Sequence, residues 1–198
     1  MGFADAVLVP HPAVPAPPVR QFRAAVRWAA RRKLARVFRL EARISHVRIR
    51  RPVQPQRADE LWEHTCFEAF IACPRRAAYL EINLSPSCAW SVFHFDDYRK
   101  GRRDVAAEPE IAVLQGPDVV QVEASLSIDA WLRRPPQRLY VAFASILEDD
   151  FGELSYWAPE HPDETPDFHD PRAYTVQISK CATALTSATN ASSPCRLC

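Results

Sequence analysis

The chain has 198 residues, 25 Lys+Arg against 24 Asp+Glu, 47% hydrophobic and 25% charged residues, and only 4 Gly beside 18 Pro. At about 150 residues per domain this is one domain with room for a tail, of ordinary globular composition, which excludes collagen-like, disordered and coiled-coil classes. No apolar run approaches the ~18 residues that span a bilayer. The first residues, MGFADAVLVPHPAVP, carry Asp5 and lack a basic leader, so a cytoplasmic protein with no membrane partner is expected. The six Cys are then expected as thiols.

Five prolines between Pro10 and Pro18 predict an extended surface strap. Arg20 to Arg51 then holds 12 basic residues and one acid, a local +11 against −10 for the rest. Such a block raises nucleic acid as a partner. The alternation of Phe22, Ala24, Val26 and Trp28 with Arg23, Ala25 and Arg27 argues otherwise, although a helix also fits. In either case the arginines belong on the solvated side of an amphipathic element, and no nucleic-acid partner is expected.

After one or two strands within Leu34–Ile49, eight are predicted in turn. They are Phe67–Ala72, Tyr79–Ser85, Ala89–Phe95, Ile111–Gln115, Val119–Ile128, Arg138–Leu147, Glu153–Trp157 and Ala173–Ser179. Pro, Ser, Asp and Gly punctuate them. Many short strands with regular turn signals indicate an all-β antiparallel sandwich or barrel over residues 1–180. The segment 181–198 is small, polar and aperiodic, and reads as a disordered tail. Its Cys195-x-x-Cys198 is half a zinc site without a second pair, so no metal is expected.

The chemistry concentrates between Glu60 and Arg99. With Ser85–Cys88 as a four-residue turn, Leu84 faces Ala89 and two faces separate. Leu80, Ile82, Leu84, Ser91, Phe93 and Phe95 form a core face. Tyr79, Glu81, Asn83, Trp90, Val92 and His94 form the other, and Glu68 sits with Phe70 on the strand before. Aromatic rings interleaved with carboxylates and an amide suit a polar ligand with apolar faces, such as a sugar. The alternative is a second small core, with Glu68 and Glu81 paired to Arg75, Arg76 or Arg99.

Downstream, SYWAPEHPDETPDFHDPRAY (Ser155–Tyr174) sets Trp157, His161, Asp167, Phe168 and His169 in a Pro-rich loop. The eight-residue spacing of His161 and His169 is too wide for a compact metal site, and turn hydrogen bonds by Asp167 and His169 are expected. No GxSxG, P-loop, GxGxxG or HExxH is present. Glu68 and Glu81 as a glycosidase pair, or Cys66 with His64 as a nucleophile, are weaker readings, so no catalytic residue and no enzyme are expected.

The ordered pieces CFEAF, N-x-SPS-x-x-W, YWA-x-x-HP and PDFH resemble the bacterial DOMON-like domain proteins, related to DOMON and family-9 carbohydrate-binding sandwiches. The resemblance runs from about Val7 to Ile178. It implies an immunoglobulin-like two-sheet β-sandwich, a ligand-binding module whose small-molecule ligand is a sugar or haem. The matching positions are Trp62, His64, Glu68, Asn83, Ser85, Trp90, Trp157, His161, Asp167 and His169. Cys88 stands where the SPSG turn has Gly, Pro159 where YWAL has Leu, and Thr165 precedes PDFH. The lone methionine is Met1, so Met/His haem ligation is excluded and only bis-His ligation among His64, His94, His161 and His169 remains. No cofactor is therefore expected. The expected ligand site joins Glu68, Glu81, Asn83, Trp90, Trp157 and His169, with the two tryptophans as the stacking platform. A protein-interaction scaffold without a small ligand is the remaining alternative.

Overall fold

The computed structural model describes residues 2–29, 33–128, 131–132 and 137–179. The tail expected at 181–198 lies outside the described residues. In chain order the strands are β1 (Phe3–Val7), β2 (Val9–Pro10), β3 (Val19–Trp28), β4 (Lys33–Ala42), β5 (Gln56–Arg57), β6 (Cys66–Ala72) and β7 (Tyr79–Leu84). They continue as β8 (Ala89–Phe95), β9 (Arg103–Asp104), β10 (Glu110–Gln115), β11 (Val119–Ser127), β12 (Arg138–Glu148), β13 (Leu154–Ala158) and β14 (Val176–Ser179). One sheet runs β1-β3-β4-β11-β10. The other runs β2-β13-β12-β6-β7-β8-β5, with β14 also on β12 and β9 on β8. All pairings are antiparallel except the two-residue β5–β8 contact. The protein is an all-β, two-sheet antiparallel sandwich.

Alternation builds it. On β3, Phe22, Ala24, Val26 and Trp28 are buried while Arg23 and Arg27 are exposed, which settles the helix–strand ambiguity in favour of strand. Phe67, Ala69 and Ile71 of β6 meet them from the second sheet. Phe22 and Phe38 each lie 5.5 Å, ring to ring, from Phe67, and Phe38 lies 5.6 Å from Phe143. Across the outer face of the first sheet the basic block is answered by acids of other segments: Arg23 with Asp5 at 2.6 Å and Lys33 with Glu110 at 2.6 Å.

Arg36 departs from the expectation that the arginines are solvated. It sits at an inward position of β4 between Leu34 and Phe38, 1% exposed, and none of its three side-chain nitrogens has a partner.

The β7–β8 hairpin also differs from its expected register. Cys88 N–H donates to Ser85 O at 3.0 Å and Ser85 N–H to Ala89 O at 2.8 Å. The turn therefore absorbs Ala89, and Leu84 pairs with Trp90. A one-residue slip exchanges the faces of a whole strand. Trp90 and Val92 point into the core between the sheets, while Phe93 and Phe95 join Tyr79 on the opposite face. The turn is closed by Cys88 at φ +73°, a left-handed conformation that favours glycine. Cys88→Gly is expected to raise stability by about 0.5–1 kcal/mol, relieving a Cβ clash worth about 1–2 kcal/mol against the greater unfolded-state freedom of Gly. Urea unfolding checks it, and a lower midpoint would contradict the strain.

Candidate functional site

The second face of the larger sheet is covered by loops. Its side chains are Cys66, Glu68 and Phe70 of β6, Tyr79, Glu81 and Asn83 of β7, Phe93 and Phe95 of β8, and Ala142 and Ala144 of β12. Three segments arch over it: the short 3-10 turn Leu61–Glu63, the β8–β9 turn and the loop between β13 and β14. The β8–β9 turn is tight. Gly101 at φ +66° is required there, since a Cβ would come 2.2 Å from Asp96 Oδ2. It presents Arg99 and Arg102.

Between sheet and loops lies a cavity of about 480 Å³. Trp62, Phe70, Phe95, Tyr156 and Phe168 supply aromatic walls, Glu68 and Glu81 the floor, and Arg99 and Arg102 the rim beside His169. Glu68 is 3% exposed, and its Oε1 has no hydrogen-bond partner. Burial, and then the negative charge of Glu81, push the Glu68 carboxyl well above the usual carboxylate range, with a Cys66 hydrogen bond opposing. Burial pushes Glu81 up as well, against the pull of Asn83, Arg102 and Arg99. Asn83 Nδ2 donates to Glu81 Oε1 at 2.7 Å and leaves Asn83 Oδ1 buried without a partner. Neither glutamate forms the pair with Arg75, Arg76 or Arg99 that a second small core would use.

His169 is held by a hydrogen-bond chain that fixes its tautomer. Arg99 N–H donates to Tyr79 Oη at 3.2 Å, so the Tyr79 hydroxyl is free to donate to His169 Nδ1 at 2.6 Å. The neutral ring then carries its hydrogen on Nε2, which lies 3.7 Å from Glu81 Oε2. Burial, and then the charge of Arg99, lower the His169 pKa to about 4, with Asp167 opposing. Asp167 accepts from His169 N at 3.0 Å, the turn bond expected for that pair, and from Arg99 at 2.8 Å and Tyr98 at 2.6 Å. A second cavity of about 410 Å³ lies beyond Tyr79 and His169, lined by Cys73, Arg75, Tyr140 and Tyr174.

Of the six side chains expected at one site, Glu68, Glu81 and His169 line the cavity, and Asn83 lies behind Glu81. Trp90 and Trp157 are placed elsewhere, 7% and 4% exposed in the core between the sheets. Trp90 borders a separate depression with Pro55, Arg57 and Val105. The reason is strand parity: each tryptophan occupies an inward position of its strand. The aromatic walls come instead from Trp62, Phe95, Phe168 and Tyr156. Trp62 is one of the positions matching the resemblance and Phe168 lies in PDFH, but nothing in their spacing marks which face they cover.

The four histidines considered for haem have separate neighbours. His64 Nδ1 contacts Glu148 Oε2 at 2.7 Å and its Nε2 meets Arg50. His94 lies 3.7 Å from Asp96, His161 packs on His11 and donates to Val9 O at 2.9 Å, and His169 is bound by Tyr79. These commitments do not fit a bis-His haem site. Among the described residues no group of three or more His, Cys, Asp or Glu is placed to hold a metal ion.

No protein-family model and no curated protein matches the sequence. Among solved structures, the chain is similar to a Bacteroides uniformis protein to which carbohydrate binding has been ascribed, with a TM-score of 0.63, 14% identity, and 89% of this chain and 85% of that one covered. It also matches a family-9 carbohydrate-binding module from Caldicellulosiruptor kristjanssonii in complex with glucose, with a TM-score of 0.45, 11% identity and 77% and 73% covered. At these identities the first likeness establishes a shared sandwich fold.

Proposed function

We propose that this chain is a non-catalytic binding module that holds a sugar or another small polar ligand in the cavity over Glu68 and Glu81. The reading places it among the DOMON-like and family-9-related sandwiches. One observation carries it: a 3%-exposed carboxyl with an unpartnered oxygen lines a cavity whose walls are aromatic. A buried polar atom left unpaired costs about 1–3 kcal/mol, which a ligand hydroxyl or amine recovers on binding. Rings of Trp62, Phe95 and Phe168 offer flat apolar area for a sugar face. Hydrogen bonds to charged acceptors contribute about 1.5–3 kcal/mol each and neutral ones about 0.5–1.5. After association costs, three or four of them support micromolar to millimolar binding.

The test is titration calorimetry after a sugar-array screen, on the wild type and on Trp62→Ala and Glu68→Gln. Each variant is expected to weaken binding about tenfold or more while the fold, followed by circular dichroism, persists. Sugar binding that neither variant alters would place the site elsewhere. Release of reducing ends from the bound glycan would overturn the non-catalytic part of the reading.

A further inference from the structure

Glu68 and Glu81 share the cavity floor, and among the described residues no cation forms an ion pair with either, Arg99 and Arg102 acting on Glu81 only through space. Glu68 pairs with Asn83 and Phe70 with Glu81, so the two glutamates are diagonal neighbours on one sheet face. Diagonal positions lie roughly 7–8 Å apart, within reach of two long side chains. Among the described residues no Lys or Arg nitrogen comes within ion-pair distance of either carboxyl. Arg99 is engaged by Asp167 at 2.8 Å. Arg102 lies over the rings of Phe93 and Trp62, 4.8 and 5.8 Å from their centroids.

The other titratable groups facing the pair supply no positive charge. From β6, Cys66 is a buried thiol pushed further toward its neutral form. From β7, Tyr79 is a neutral phenol pushed up to about 12 by burial. From the loop, His169 approaches Glu81 as a neutral ring. Arg99 and Arg102 pull on Glu81 only through space, and two desolvated neighbouring carboxyls with no ion-pair partner favour sharing one proton. Asn83 Nδ2 steadies Glu81 as the ionised partner, while Glu68 Oε1 is left unpaired.

We propose that this cavity selects a ligand bearing a protonated amine, seated between Glu68 and Glu81, an amino sugar being the form that also fits the aromatic walls. The inference rests on the cavity being the ligand site and adds the charge of the ligand. On binding, the ammonium supplies a counter-charge in direct contact with both carboxyls and keeps its own hydrogens. The retained carboxyl O–H ionises, its proton passes to solvent, and both glutamates accept hydrogen bonds from the amine. No other bond forms or breaks.

The experiment is calorimetry at neutral pH with glucosamine, N-acetylglucosamine, glucose and 2-aminoethanol, each in two buffers of different ionisation enthalpy. Wild type is expected to bind glucosamine at least about tenfold more tightly than its N-acetyl form, releasing close to one proton per ligand. Glu68→Gln, which keeps shape and removes the titrating group, is expected to abolish both the proton release and the amine preference. Equal binding of the three sugars would overturn the amine inference and leave sugar binding standing. Proton-releasing binding of 2-aminoethanol without sugar binding would support the amine site and overturn the sugar reading. An amine preference untouched by Glu68→Gln would place the amine elsewhere and overturn the inference. Binding of none of the four would overturn both.

Discussion

Trp157→Ala is expected to destabilise the protein by about 3–5 kcal/mol, the range for emptying a buried large aromatic site, and to leave ligand affinity of the folded protein unchanged. The indole is 4% exposed and its ring lies 5.8 Å from Phe22. Phe22 in turn packs on Phe67, so the cavity left behind would open in the core between the two sheets. The indole N–H donates to Ser155 Oγ at 3.0 Å, and the truncation leaves that buried hydroxyl short of a donor. Urea unfolding gives the stability and calorimetry at low denaturant the affinity. A loss below about 1 kcal/mol accompanied by lost binding would return Trp157 to the ligand site.

Arg36→Met is expected to act in the opposite sense and raise stability by about 1–4 kcal/mol, the gain seen when buried ionic groups give way to apolar side chains of similar volume. Val26 and Ala124 flank Arg36 across the sheet, and Leu34 and Phe38 lie on the same face. Burial with no partner for any of its nitrogens lowers the guanidinium pKa to about 10. The group is nonetheless charged at neutral pH, so the fold carries an unpaired cation between its sheets. Methionine keeps most of the length and adapts to an irregular space. Chemical unfolding measures the change. A destabilised Arg36→Met would mean that the guanidinium has a compensating partner in solution.

Most of the sandwich was legible because half-buried strands write a period of two into the chain. β6, β11 and β12 stand within a residue or so of where alternation predicts them, while β3, for which a helix also fitted, begins three residues before the alternation of Phe22–Trp28. β8 was legible as a strand but not in its register. Trp90, Val92 and His94 are as hydrophobic or aromatic as Phe93 and Phe95, so either parity could be the core. The deciding residue was Cys88, whose left-handed turn shifts the pairing without any glycine to announce it. Glu68, Glu81 and His169 could be read ahead because two adjacent strands and one loop motif carry them. The walls could not: Trp62, Phe95, Tyr156 and Phe168 come from four separate segments, and only tertiary packing brings them together. Arg36 was missed for another reason: its parity with Leu34, Phe38 and Leu40 in KLARVFRLEA puts it inward, but the basic block was read as one solvated face.

The loop that carries Phe168 and His169 has an unusual anchorage. β13 and β14 lie on the same edge of β12, both antiparallel to it: Trp157 is opposite Ser145, and Val176 is opposite Val141. They are two halves of what would be one continuous strand, interrupted by the 17 residues 159–175. The feet of this arch are thus fixed by ladder pairing on a single strand, a gap of four residue steps or roughly 14 Å. Lengthening an arch between fixed feet alters no sheet register, and doubling its length costs only about 0.6 kcal/mol of closure entropy. Homologous chains can therefore vary the roof of this cavity by insertion and deletion while the two glutamates beneath it keep their places.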